Sequence, residues 1–238
     1  MISENKLLFV AVAIFGNVLP FNLISLSEIH VDSVVAATLI GTMPLFTVLI
    51  SLFIMKNQTV NFLNISGIIV GFIGMLIFIN PSKFTNESEN FIFFLLIIFS
   101  AFSYGLSANI VKKITNYSPI EIATFTTILA TIFSLPVLIS NTLNSQNFFF
   151  DVLPNISIIS LASATILGLV CTGLAILIFF NLIKIKDAIF ASQSNFLIPC
   201  FGTLWSFIFL DEILSHHMIY GLLLIVIGGW LVNSSARQ

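Results

Sequence analysis

Inside the apolar runs of this 238-residue chain, the side chains able to do chemistry are hydroxyls, amides and a phenol. Ser100, Ser103, Tyr104 and Ser107 recur at i, i+3, i+4 and i+7, the spacing of one helix face. Ser192, Asn195, Pro199, Thr203 and Ser206 make a second face, with Gln193 beside it. A thinner set holds Thr38, Gly41, Thr42 and Pro44, while Asn17, Thr172 and Asn181 stand in other runs. Such groups donate and accept hydrogen bonds without carrying charge. What they could do is hold a small neutral, zwitterionic or amphipathic solute. An amide or hydroxyl facing hydrocarbon would be left unsatisfied, so these faces must turn inward. Two inward roles compete, the wall of a polar cavity and close packing between helices. The serine stripe reads as packing, and Tyr104, Gln193 and Asn195 as cavity wall. The candidate substrate-binding set is therefore Asn17, Thr38, Thr42, Pro44, Tyr104, Thr172, Ser192, Gln193, Asn195 and Pro199. Substitution of Tyr104 or Gln193 is expected to weaken solute binding without loss of the folded protein.

The absent groups narrow the chemistry further. No Asp, Glu, Lys, Arg or His lies mid-way along any apolar run. A charge there costs at least ~2.5–3.5 kcal/mol on insertion scales and is usually functional where it survives. Its absence argues against an intramembrane proton-relay carboxylate, against a cationic clamp on phosphate and against acid–base catalysis. There is no His-Glu-x-x-His, no Gly-rich phosphate loop and no Ser/His/Asp set able to meet at one depth. His30, His216 and His217 fall in the polar breaks, and Cys171 and Cys200 sit in apolar runs without disulfide or zinc spacing. No catalytic residue, metal, cofactor or nucleic-acid partner is expected.

The elements that must position these side chains are membrane spans. The chain is 58% hydrophobic and 8% charged, with mean hydropathy +1.13, where a soluble domain carries about 25% charged residues. Runs of about 20 apolar residues cross a bilayer as helices. Eight are found: Leu7–Leu26, Val34–Met55, Phe62–Ile79, Phe91–Val111, Pro119–Ser140, Ile156–Ile183, Ala188–Leu210 and Met218–Val232. The expected class is an all-α polytopic membrane protein. With a cytoplasmic N-terminus, the inner segments hold Lys6, Lys56, Lys112, Lys113, Lys184, Lys186 and Arg237, and the outer ones only Lys83. This is the positive-inside bias, and it places both termini in the cytoplasm. Local signals mark helix starts: a capping box at Ser118–Glu121 with Pro119 at the first helical position, and N-cap carboxylates at Asp32 and Asp187. Ser215 could cap the last span in the same way.

At an offset of 155 residues Asp32 falls on Asp187, Ala36 on Ala191, Pro44 on Pro199, Phe46 on Phe201, Leu49 on Leu204 and Ser51 on Ser206. After a one-residue gap Gly67 falls on Gly221 and Gly74 on Gly228. Spans 1, 2 and 3 thus match spans 6, 7 and 8 while running the opposite way, an inverted-topology repeat. Residues 1–80 form a first repeat of three helices, and residues 91–233 a second of five. The matched prolines each delete an i→i−4 bond and kink a span. The glycines read as close-packing faces.

The pattern Asp-Ala-Ile-Phe-Ala-Ser at 187–192, Pro199, Asp211-Glu212, Gly221 and Gly228, with its weaker copy at 32–79, resembles the EamA-type permeases of the drug/metabolite transporter superfamily. Ser103-Tyr104 followed by Lys112-Lys113 resembles the sixth helix of that family. The resemblance implies ten helices in two five-helix repeats, an incomplete 5+5 arrangement here because the first two are lacking. It also implies a glutamate where Asn57 stands, a role that Glu212 keeps in the second copy. The implied function is a secondary transporter working by alternating access in the bacterial inner membrane. Its partners would be a small-molecule substrate, the lipid bilayer and a second copy in a homodimer. The competing reading is a truncated or decayed fragment with only a structural or regulatory membrane role.

Overall fold

The computed structural model describes residues 2–31, 33–55, 61–79, 91–144, 156–198, 201 and 216–235. Among these the chain is helical throughout its ordered elements, with no strand. The helices are α1 (residues 2–27), α2 (33–55), α3 (Phe62–Ile79), α4 (Phe91–Lys113), α5 (Pro119–Asn144), α6 (Ile158–Ile185), α7 (Ala188–Ile198) and α8 (His216–Ser235). Four stretches are long and apolar enough to cross a membrane: Lys6–Ser27, Phe91–Lys113, Pro119–Val137 and Ile158–Ile185. The other four expected spans coincide with the shorter apolar helices Met43–Phe53, Phe62–Phe78, Ala188–Ile198 and His216–Val232. Asp32, Asn57, Lys83, Pro199, Cys200, Thr203, Ser206, Asp211, Glu212 and Ser215 lie outside the described residues.

Several helices are not regular, and the sequence shows why. In α1 a π turn, Ile14–Val18, precedes Pro20, and the Leu19 N–H donates to the Ile14 carbonyl. Pro20 has no N–H to give the carbonyl four residues back, so the coil widens there. In α2 the helix breaks at Gly41–Thr42 and restarts at Met43, with Pro44 in its first turn. The Thr42 hydroxyl turns back onto the Leu39 carbonyl at 2.6 Å. In α6 the π stretch Leu167–Leu174 includes Gly168 and Gly173.

Helix ends follow their capping residues. The Glu121 carboxylate accepts from the Ser118 N–H and hydroxyl, both at 2.7 Å, and the Ser118 hydroxyl accepts from the Glu121 N–H at 3.4 Å. The Asp187 carboxylate accepts from the Phe190 N–H at 2.7 Å and opens α7. At the same end of the bundle, α4 and α6 cap each other's last carbonyls. Lys112 donates to Ile183 at 3.2 Å and to Lys186 at 2.6 Å, and Lys184 donates to Ile114. A cation at the C-terminal end of a helix also offsets its dipole.

Packing is closest where small residues face one another. A Cβ on Gly228 would lie 2.5 Å from the Gly67 carbonyl oxygen, and one on Gly221 would lie 2.6 Å from that of Gly74. The α3 and α8 backbones therefore touch, as the glycine spacing predicts. Gly71 takes the ring of Phe196 from α7, 2.8 Å from its own would-be Cβ. The centre of the molecule is α4, which packs against α1, α2, α6 and α7. Its Ser100 and Ser103 are buried and donate back to the Leu96 and Phe99 carbonyls, both at 2.9 Å. That is the packing role expected of the stripe. Asn109 ties α4 to α2 by donating to the Thr47 carbonyl at 3.1 Å. Outward faces are apolar, and residues 158–171 of α6 are exposed throughout. Such a surface is compatible with a lipid solvent.

Candidate functional site

A cavity of about 550 Å³ lies where α1, α2, α4, α6 and α7 meet. This is the size of a pocket for one small organic molecule. Its polar wall comes from Asn17, Tyr104, Ser107, Thr172, Ser194 and Asn195. Its apolar wall includes Phe21, Met43, Ile176, Phe179 and Ile198. Among the described lining residues there is no Asp, Glu, Lys, Arg or His.

Each polar group reaches the cavity through a local feature of its helix. Asn17 sits inside the π turn of α1, and Thr172 inside the π stretch of α6. A π turn advances the face on which later side chains emerge, and such turns recur at functional sites. Tyr104 lies on α4, where its ring meets that of Phe21 edge to face at 6.5 Å between centroids. Asn195 donates to the Ser192 carbonyl at 2.9 Å and to the Met43 thioether sulfur at 3.0 Å, which fixes its amide between α7 and α2. Ser194 donates back to the Ala191 carbonyl at 2.8 Å. Asn17 is only 5% exposed, and its amide nitrogen donates to nothing.

Of the ten residues expected to bind solute, Asn17, Tyr104, Thr172 and Asn195 line this cavity. Thr42 and Pro44 do not: they serve the break in α2, one bonded back to its own helix and the other buried in the restarted first turn. Ser192 is buried and donates to the Ile189 carbonyl at 2.8 Å. Gln193 is buried on another side of α7, with its amide oxygen 3.5 Å from the would-be Cβ of Gly229. The Thr38 side chain and Pro199 lie outside the described residues.

Reading by polarity alone missed Gly16, Phe21, Met43, Ser107, Cys171 and Ile198 on the wall. Gly16 is there because α4 crosses so close that a Cβ would fall 2.3 Å from the Ser107 hydroxyl oxygen. The 155-residue offset relates several of these positions to one another. It pairs Gly16 with Cys171, Asn17 with Thr172, Phe21 with Ile176 and Met43 with Ile198, and both members of every pair line the cavity. Among the described residues, no three His, Cys, Asp or Glu side chains come together as a metal site would need. His30 instead stacks on Phe93, with ring centroids 4.0 Å apart.

Comparison with known proteins gives this arrangement its place. No curated protein matches the sequence. A solved chain titled only as the crystal structure of a protein shares the fold, with TM-score 0.74 over 98% of this chain and 77% of its own, at 17% identity. The model of the EamA-like transporter family matches residues 2–80 and 91–234, almost the whole chain. This multi-pass membrane protein therefore belongs to the EamA-like transporter family, within the drug/metabolite transporter superfamily.

Proposed function

We propose that the protein is a secondary transporter that moves a small neutral, zwitterionic or amphipathic metabolite, amino-acid-like or drug-like, by alternating access. One observation carries the reading: an uncharged cavity whose α1 and α2 wall positions each have a partner 155 residues on in α6 or α7. In an inverted repeat, matched positions are related by a pseudo-two-fold axis in the membrane plane, and a cavity on that axis is lined in pairs. Exchange of conformation between the two halves then opens the same cavity to one side and afterwards to the other. The pairing supports eight crossings in two repeats, over residues 1–80 and 91–233. The cation distribution supports a bacterial inner-membrane protein with both termini cytoplasmic.

The irregular elements fit this work. The π turns and the break at Gly41–Thr42 lie in the helices that wall the cavity, where a helix must bend rather than slide as a rod. A purely structural membrane role gives no reason for an uncharged cavity whose four α1 and α2 wall positions all have counterparts on the opposite wall.

The test is uptake into vesicles reconstituted with purified protein, using solutes that shift its melting temperature in a metabolite panel. Tyr104→Ala is expected to lower the transport rate at least tenfold, with unchanged yield in the membrane. Full transport by Tyr104→Ala would remove the cavity from the pathway.

A further inference from the structure

We infer that the cavity selects an uncharged solute bearing a primary carboxamide, held head to tail by the Asn17 side chain beside an apolar chamber. The inference rests on the cavity being the solute site. Three buried amide side chains carry an unbonded polar atom: Asn17, Asn109 and Gln193. Asn109 and Gln193 stand away from the cavity, whereas Asn17 lines it. Asn17 is 95% buried, and its amide nitrogen has no hydrogen-bond partner among the described residues. A buried amide without a partner is destabilising, so one kept at a cavity wall is best explained by a ligand that completes it.

The chemistry of that ligand follows from the lining. An amide side chain offers one donor and one acceptor side by side. A primary carboxamide carries an N–H on the same side as its C=O, so it offers the same two in reverse and closes both bonds at once. Thr172, the counterpart of Asn17 in α6, adds a hydroxyl without a partner among the described residues, and Tyr104 adds a phenol. A carboxylate or ammonium would enter a wall with no opposite charge among its described residues, and burying an unpaired charge is strongly unfavourable. The remainder of the solute meets Phe21, Ile176 and Phe179 and is therefore apolar.

Cys171 lines the same cavity and is exposed, so its alkylation reports occupancy independently of transport. In a Cys200→Ser background it is the sole thiol. N-ethylmaleimide labelling of the purified protein would be followed by mass spectrometry with three protectants: N-acetyl-L-phenylalaninamide (neutral), L-phenylalanine (zwitterion) and N-acetyl-L-phenylalanine (anion). The neutral amide is expected to protect Cys171 at about tenfold lower concentration than either charged compound. Asn17→Leu should weaken that protection about tenfold, ~1.4 kcal/mol, with each rate taken relative to the same variant without protectant. If Asn17→Leu does not fold, Asn17→Ala deletes the amide without added bulk and carries the same expectation. Equal or better protection by a charged compound, or undiminished protection in the Asn17 variants, overturns the inference and leaves the cavity as the solute site. Protection by none of the three overturns the inference and counts against that site as well, and transport of a panel solute with Cys171 still freely labelled would place the pathway elsewhere.

Discussion

A buried amide in a membrane protein is informative because hydrocarbon offers it nothing. The chain places several such groups, and their surroundings separate their roles. Asn195 spends its amide nitrogen on the Ser192 carbonyl and the Met43 sulfur. Asn109 spends its nitrogen on two carbonyls, Gly105 and Thr47. Gln193 has no solute-facing side and leaves its nitrogen unbonded beside α8. Its polarity marked it as a wall residue in the sequence, but the turn at Gln193 rotates it away from the cavity that Asn195 and Ser194 reach. Gln193→Met keeps the length and removes the unbonded donor. The variant is expected to melt no lower than the parent and to transport at the parental rate, because replacing an unsatisfied polar group by an apolar one of similar shape is nearly neutral or stabilising. A melting temperature several degrees lower would show that the amide has a partner in the membrane.

Among the elements, the α3–α8 pair and the α4–α6 pair are held in opposite ways. In the first, the backbones come into direct contact at Gly67, Gly74, Gly221 and Gly228. Helices in lipid gain nothing from apolar burial as such, so their association depends on van der Waals fit at that seam. Gly228→Leu forces the helices apart, since even a Cβ would stand 2.5 Å from the Gly67 carbonyl oxygen. Overpacking of this kind costs about 1–3 kcal/mol or more. The variant should lose most of its monodisperse peak in fluorescence-detected size exclusion, and a wild-type profile would show that the seam gives way cheaply. The second pair is joined at its ends by Lys112 and Lys184, each bonded to carbonyls at the terminus of the other helix or the residues just beyond it. That contact is polar and local to one end of the bundle, while α6 also lines the cavity from Cys171 to Leu182.

For the whole molecule, the governing quantity is orientation. Reporter fusions after residues 85, 115, 146, 185 and 214 should read outside, inside, outside, inside and outside. Any reversal would undo the inverted-repeat reading, and a reversal at both 146 and 185 would put α1 and α6 in the same sense across the membrane. The paired lining of Gly16 with Cys171 and of Met43 with Ile198 would then lose its two-fold reading. The break in α2 precedes Pro44, and α3 and α8 stand back to back through their glycines.

The sequence by itself determined the solvent, the helices and their ends. Hydropathy, the capping box at Ser118–Glu121, the carboxylate of Asp187 and the glycine spacing each act within one helix or between matched ones, so local chemistry is enough to read them. It also supplied the offset that pairs the two walls of the cavity, although polarity alone picked out only Asn17, Tyr104, Thr172 and Asn195 correctly for the wall. What only the tertiary structure decided is which polar side chains face the cavity and which face a neighbouring helix. That choice depends on a few tens of degrees of rotation about each helix axis. The π turns at Ile14–Val18 and Leu167–Leu174 and the turn at Gln193 alter that rotation, and a regular 3.6-residue count cannot foresee them.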